Sequence, residues 1–226
     1  MKLSELAYRS IKEAIYLDDS GFTLEAYKDG TYYESAEYGI QINNVFSPIN
    51  EAISRLSDLE KLPYRVIEIP KESITKDDGA YIIDLSFVDE DIKDVINVAY
   101  KNGSNFTKIE AKPFGIDKLI VSGSYSDYYR LFLEYKEEIP YFTEKEAGVY
   151  PYSDEETGDT ELKEYGINNA MCSYIMEYAM SKLSEDVDPS LSNLHLTRAE
   201  QYFSNLKSVT STFKQNTVIN KFKIGE

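Results

Sequence analysis

The spacing of apolar residues in this chain changes twice, and that change limits the fold more than any single motif does. A helix buries positions three and four apart, a strand buries every second one, and a segment written in one period does not settle into the other. Up to Pro63 the spacing is helical, from Tyr64 it moves toward two, and after a polar stretch at 148–158 it is helical again.

Leu3, Leu6, Ala7, Ile11, Ala14, Ile15 and Tyr16 place one apolar face on a helix over 3–17. The tyrosine-rich segment 22–38, broken by Gly30 and bounded by Gly39, has no sustained period and reads as a loop or partly ordered arm. Ser47-Pro48 reads as an N-cap with proline in the first turn, opening a second helix through Ile49, Ala52, Ile53, Leu56 and Leu59 that Pro63 stops. Six short segments follow, at 64–69, 80–88, 95–100, 106–111, 118–121 and 128–137, with breaks at Pro70, Asp78-Gly79, Asn102-Gly103, Pro113 with Gly115, and Gly123. They predict a small antiparallel β domain. Asn102-Gly103 is its clearest hairpin signal. Residues 91–100 fit either a strand or a helix capped by Asp89-Glu90-Asp91. A third helix begins near Leu162, runs through Tyr165, Ala170, Tyr174, Ile175, Tyr178, Ala179 and Leu183, and ends before Asp188-Pro189; a fourth covers about 191–212.

The expected class is therefore α+β. Residues 1–62 and 159–213 form a helical bundle, 63–150 an inserted antiparallel β domain, and 214–226 a C-terminal tail. With 226 residues and 42% hydrophobic content, the chain has material for one sizeable core or two small ones.

Charge narrows the partners. Forty acidic against 24 basic side chains give a formal charge of −16, which disfavours tight binding of DNA, RNA or an anionic membrane. The same charge suits a conduit wall along which a polyanion slides. Twenty tyrosines with no tryptophan suit wet protein interfaces, since the ring is apolar and its tip is polar; a codon bias explains the same numbers equally well. No apolar run near the N-terminus suggests a secretory signal or a membrane span, so synthesis and use in a cytoplasm are expected.

Catalytic patterns are sparse. His195 is the single histidine and Cys172 the single cysteine, so no site needing two of either is available within one chain. Cys172, among Met171, Tyr174, Ile175 and Tyr178, reads as a small hydrophobe, and His195 as a packing residue. The acidic groups Asp77-Asp78, Asp89-Glu90-Asp91 and Asp154-Glu155-Glu156 with Asp159 lack the alternating ligand spacing of an EF-hand loop and read as solvated turns. Ser122-Gly123-Ser124 lacks the flanks of a nucleophile elbow or a phosphate loop. A paired-carboxylate site is set by distance in the fold and stays open at this point.

The order of elements resembles the head-to-tail adaptor, connector or neck-ring proteins of podovirus-type tailed bacteriophages. The likeness is carried by the short opening helix, by the helix from Asn50-Glu51-Ala52-Ile53 to Leu62-Pro63 that runs into the strand at 64–69, and by the closing helix pair. That pair contains Glu161-Leu162-Lys163-Glu164-Tyr165-Gly166-Ile167 and Arg198-Ala199-Glu200-Gln201-Tyr202-Phe203. The Tyr, Asn and Lys bias also resembles that of crAss-like phages of gut Bacteroidales.

The resemblance implies a virion structural protein made in the host cytoplasm and built into the neck or tail. It implies a homo-oligomeric ring, commonly dodecameric, that binds the portal and other neck or tail proteins while genomic DNA passes without specific contact. No enzyme activity, cofactor, metal or membrane contact is expected. The candidate interface residues are Tyr8, Tyr16, Tyr174, Tyr178, Tyr202 and Phe203, with core packing the competing role for at least half, together with Lys221 and Lys223 of the tail. The alternatives are a small metal- or carboxylate-dependent hydrolase and an acidic nucleic-acid-mimic binding module.

Overall fold

The structure is a computed structural model, and it describes residues 1–14, 21–31, 44–77, 79–88, 92–103, 105–122, 130–153 and 158–209. The fold is α+β. It divides into a helical unit, Met1–Leu62 with Ile139–Val209, and a β unit that begins at Pro63 and returns at Glu138.

In the helical unit, α1 (Leu3–Ala14), α2 (Leu24–Lys28), α3 (Phe46–Asp58), α4 (Glu144–Ala147), α5 (Asn169–Leu183) and α6 (Pro189–Asn205) share one core. α5 is buried nearly all round, with Met171, Cys172, Tyr174, Ile175, Tyr178 and Ala179 all inside. A helix of that kind sits at a centre, and α5 packs against α1, α3 and α6. Asn168 caps its N-terminus through the amides of Ala170 and Met171, and Asp188 caps α6 through Ser190 and Leu191, with Pro189 at the first helical position.

Several expected boundaries move. Residues 139–150, expected in the β insert, belong to the helical unit, because Phe142, Ala147 and Val149 fill its core. The segment expected to be a loop from residue 22 contains α2, with Phe22 and Tyr27 buried; its part beyond Thr31 lies outside the described residues. Thr23 caps α2. α3 starts at Phe46 rather than after a Ser47 cap, and Pro48 falls in the first turn, where its missing N–H costs nothing. α3 ends at Asp58, before Pro63, where Glu60 takes φ +54 and the Lys61 amide closes on the Leu56 carbonyl at 2.9 Å. A 3-10 turn at Leu162–Tyr165 stands where the third helix was expected to begin. α6 stops at Asn205, short of residue 212.

The β unit has two four-stranded antiparallel sheets among the described residues. Its strands are β1 (Arg65–Glu68), β2 (Ile74–Asp77), β3 (Ala80–Asp84), β4 (Ile92–Asn102), β5 (Asn105–Ile109), β6 (Ala111–Pro113), β7 (Lys118–Ser122) and β8 (Arg130–Glu137). The strand orders are β1-β8-β4-β5 and β2-β3-β7-β6. Ile69, Ile83, Val98, Leu119, Val121, Leu131, Leu133 and Tyr135 form the core. The 91–100 ambiguity resolves to strand for the described part. Register shifts at Ile92/Asp94 and Val95/Asn97 break the alternation, which is why the apolar spacing there imitates a helix. The Asn102-Gly103 signal marks the β4–β5 hairpin, although Asn102 is the last ladder residue, paired with Asn105, and Gly103 takes φ +60. Between β5 and β6 the chain passes from one sheet to the other at Glu110.

Candidate interaction surface

Three of the residues expected at an interface, Tyr174, Tyr178 and Phe203, meet in one cluster where α3, α5 and α6 pack. The Tyr174 ring lies 5.0 Å from Phe203 and 6.0 Å from Tyr178, centroid to centroid. Around them runs a band of charge. Arg55 reaches from α3 to Glu200 on α6 with Nη1–Oε1 at 2.7 Å and Nη2–Oε2 at 3.2 Å, and its guanidinium lies 4.7 Å from the centroid of the Phe203 ring. Lys61 lies 5.3 Å from the same ring and donates to the Leu206 carbonyl. Tyr178 donates its hydroxyl to Glu51 Oε1 at 2.5 Å.

The fork between Arg55 and Glu200 is more than a third exposed on both sides and contributes about 0–1 kcal/mol. Its use is geometric, since it fixes the last turns of α6 against α3. Burial pushes the Tyr174 hydroxyl up to about 12, and burial together with the Glu51 carboxylate raises that of Tyr178. Both phenols therefore remain protonated at neutral pH.

Of the expected interface residues, Tyr174 is wholly buried and Tyr178 is 7% exposed, so these two are core residues of this chain. The Tyr174 ring packs against Phe203 and Tyr178, and sequence spacing does not separate such a ring from one facing a partner. Tyr8 is half-buried, 5.2 Å from Phe22, and donates to the Phe22 carbonyl. Phe203 is half-buried, and Tyr202 is exposed. Tyr16, Lys221 and Lys223 lie outside the described residues.

The helical unit leaves apolar side chains uncovered at Leu59, Tyr141 and Tyr150 and along α6. The inner stripe of α6 is Leu191, His195 and Ala199, spaced four apart; Leu194 and Leu196 flank that stripe and are exposed, as are Tyr202 near the helix end and Val187 ahead of its start. None of the partners that hold this helix in place was legible from sequence, because Arg55 and Glu200 are separated by 145 residues.

His195 does not face solvent. Its Nδ1 is 2.7 Å from Glu177 Oε2, and Nε2 is buried with no hydrogen-bond partner among the described residues. A general base must reach its substrate's proton, and this ring is sealed against α5. Burial likewise raises the Cys172 thiol, which favours its uncharged, unreactive form.

Among the described residues no group of three or more His, Cys, Asp or Glu side chains is placed to hold a metal ion, and no helix is long and apolar enough to cross a membrane. Asp78, the acidic runs at 89–91 and 154–156, and Gly123-Ser124 lie outside the described residues. No protein-family model and no curated protein sequence matches this chain.

Proposed function

We propose that this chain is a structural virion protein, a subunit of an adaptor ring that joins the portal to the tail and lines the DNA channel. The observation that carries the reading is α6, a helix fixed from within by Arg55–Glu200 and the Tyr174–Phe203 stack while Leu194, Leu196 and Tyr202 are left on its surface. A rigid helix with uncovered apolar side chains suits burial against a neighbouring copy. The formal charge of −16 supports the same reading, because a wall of like charge lets a polyanion slide past. Packing alone does the work, with no cofactor.

The test is assembly with the portal, followed by mass measurement and by imaging of rotational symmetry. The wild-type chain should form a closed ring on the portal and be present in purified particles. The triple variant Leu194→Lys, Leu196→Lys, Tyr202→Lys should stay monomeric while unfolding within about 4 °C of wild type, as surface changes do. A wild-type chain that never leaves the monomeric state beside the portal, or that is missing from mature particles, would overturn the proposal.

A further inference from the structure

One end of the β1-β8-β4-β5 sheet runs against the charge of the chain. Ile67, Val98, Tyr100, Leu131, Leu133 and Ile109 face the β core, so alternation sends their strand neighbours to the opposite side. There the ladder sets Lys101 beside Arg130 and Phe106, Ala99 beside Phe132 and Lys108, and Glu68 beside Phe132. Phe106 and Phe132 meet edge to face at 5.2 Å, with Lys101 over the first ring at 5.5 Å and Arg130 over the second at 5.7 Å. Glu68 is forked to Arg130. This end of the face therefore presents three bases and one acid around two half-buried rings, in a chain of 40 acids and 24 bases. Farther along β8, Lys136 stands opposite Asp94 and the basic excess ends.

The helical unit carries the converse pattern at the corner between α5 and α6. Glu185, Asp186 and Val187 are all exposed, Val187 by 58%. The turn is fixed, because the Val187 and Asp188 amides both donate to the Ser184 carbonyl, at 3.1 and 2.8 Å. Asp188 is spent on capping α6, which leaves Glu185 and Asp186 as the outward carboxylates beside an apolar tip. The corner leads straight into α6 and its exposed Leu194 and Leu196.

We infer that the Phe106–Phe132 face of one copy takes the Glu185–Val187 corner of a second copy. Val187 lies against the two rings, and the two carboxylates meet Lys101, Lys108 and Arg130. The inference rests on the ring reading and deepens it, since joining two different patches makes a head-to-tail contact, the kind that closes into a ring. Four strands give the patch a width of only about 14 Å. A stable interface covers about 800 Å² on each partner, so the patch is one part of a contact that α6 continues. The occupant is protein rather than nucleic acid, because rings set edge to face with a cation over each offer bases no platform for stacking.

The first test needs no portal. Ordinary and heavy-isotope chains are mixed at high concentration and joined with a zero-length carbodiimide link. The expected products are mixed-isotope links from Lys101 or Lys108 to Glu185 or Asp186, reduced at least about fivefold by added salt. Links confined to one isotope, or none at these residues, overturn the inference whether or not a ring forms. Capture of labelled single-stranded DNA through Lys101 and Lys108, without mixed links, assigns the face to nucleic acid and overturns it as well.

The second test is charge exchange on the portal. Lys101→Glu with Lys108→Glu, and Glu185→Lys with Asp186→Lys, should each lower the yield of portal-bound rings at least about tenfold, and all four changes in one chain should restore it. Hydrogen exchange checks that each variant keeps both units folded. Rings from wild type with no loss in either pair, or a loss that the fourfold chain does not recover, overturn the face-to-corner contact and leave the ring reading standing. Mixed links without any ring on the portal overturn the ring reading and leave this contact standing.

Discussion

The side-chain amide of Asn50 clamps the backbone of Phe142 in both directions. Asn50 Nδ2 donates to the Phe142 carbonyl at 2.7 Å, and the Phe142 amide donates to Asn50 Oδ1 at 2.8 Å. The same Nδ2 also serves the Phe46 carbonyl at 2.7 Å. Asn50 is 8% exposed and Phe142 is fully buried, so the amide stands in for a strand partner where the chain re-enters the helical unit. Replacement by alanine leaves two buried backbone groups of Phe142 without their partner, at about 1–3 kcal/mol each. Asn50→Ala should therefore lose about 2–5 kcal/mol, read as a lower urea midpoint at constant slope. Asn50→Asp should fare no better, since its carboxylate would face two carbonyl oxygens. A variant within 0.5 kcal/mol of wild type would contradict the clamp.

Gly30 supports Tyr150 by having no side chain. Its φ is +85, and a Cβ built there would lie 2.5 Å from the Tyr150 ring, while the Tyr150 amide donates to the Lys28 carbonyl at 2.9 Å. Gly30→Ala meets both penalties, the left-handed backbone and the clash, at about 1–3 kcal/mol together. Adding Tyr150→Ala removes the two ring atoms at 2.5 Å but keeps the Tyr150 Cβ at 2.9 Å, so it should recover part of the steric cost and leave the backbone part. Strict additivity of the two changes in a double-mutant cycle would show that the ring simply moves aside.

Asp159 caps the first turn of α1 through Ser4, 155 residues away in sequence. Its side chain, 5% exposed, accepts from the Ser4 amide at 3.0 Å, the Ser4 hydroxyl at 2.5 Å and Lys28 Nζ at 2.9 Å. Leu3 and Leu162 add backbone bonds to Thr160 and Met1 on either side. Asp159→Ala should cost about 2–4 kcal/mol, because it orphans a buried hydroxyl and the first turn of α1. Hydrogen exchange should show α1 opening before α5. Equal loosening of both helices would mean that Asp159 stabilises the unit without capping α1.

These three contacts mark the limit of what sequence displays. The helical and extended segments were legible because burial imposes a period, and Leu191, His195 and Ala199 or Leu131, Leu133 and Tyr135 follow theirs closely. β2 and β6 were not legible. Ile-Thr-Lys-Asp buries almost nothing, and Ala-Lys-Pro is an exposed edge where proline, lacking an N–H, is tolerated. The 91–100 segment was ambiguous because its register shifts put Ile92, Val95 and Ile96 at helical spacing.

The candidate surface was legible only in part. Composition pointed to tyrosine, yet Tyr174 and Tyr202 sit in the same closing helix pair, one sealed and one exposed. What separates them is packing against Arg55 and Phe203, and that contact depends on a fold that brings α3 to α6. Asn50, Gly30 and Asp159 gave no signal because the partner of each lies far along the chain.

Alkaline pH reads the buried phenols directly. An exposed tyrosine in the unfolded chain ionises near 10, whereas burial holds Tyr174 to about 12. Between those values the unfolded chain has released a proton that the folded chain still holds, so stability falls as pH rises. The loss is about 1.4 kcal/mol per pH unit for each such phenol. Below pH 10 the contribution of Tyr174 is complete, and above its folded value the decline from that group ends. Tyr178 shifts in the same direction, held up by burial and by its bond to Glu51, and steepens the decline. Tyr174→Phe keeps the ring against Phe203 and removes one titrating group, so its urea midpoint should decline with a shallower slope than wild type over this window. Parallel slopes for the two proteins would show that the Tyr174 hydroxyl meets water in the folded state, and with it that the α3–α5–α6 cluster is open.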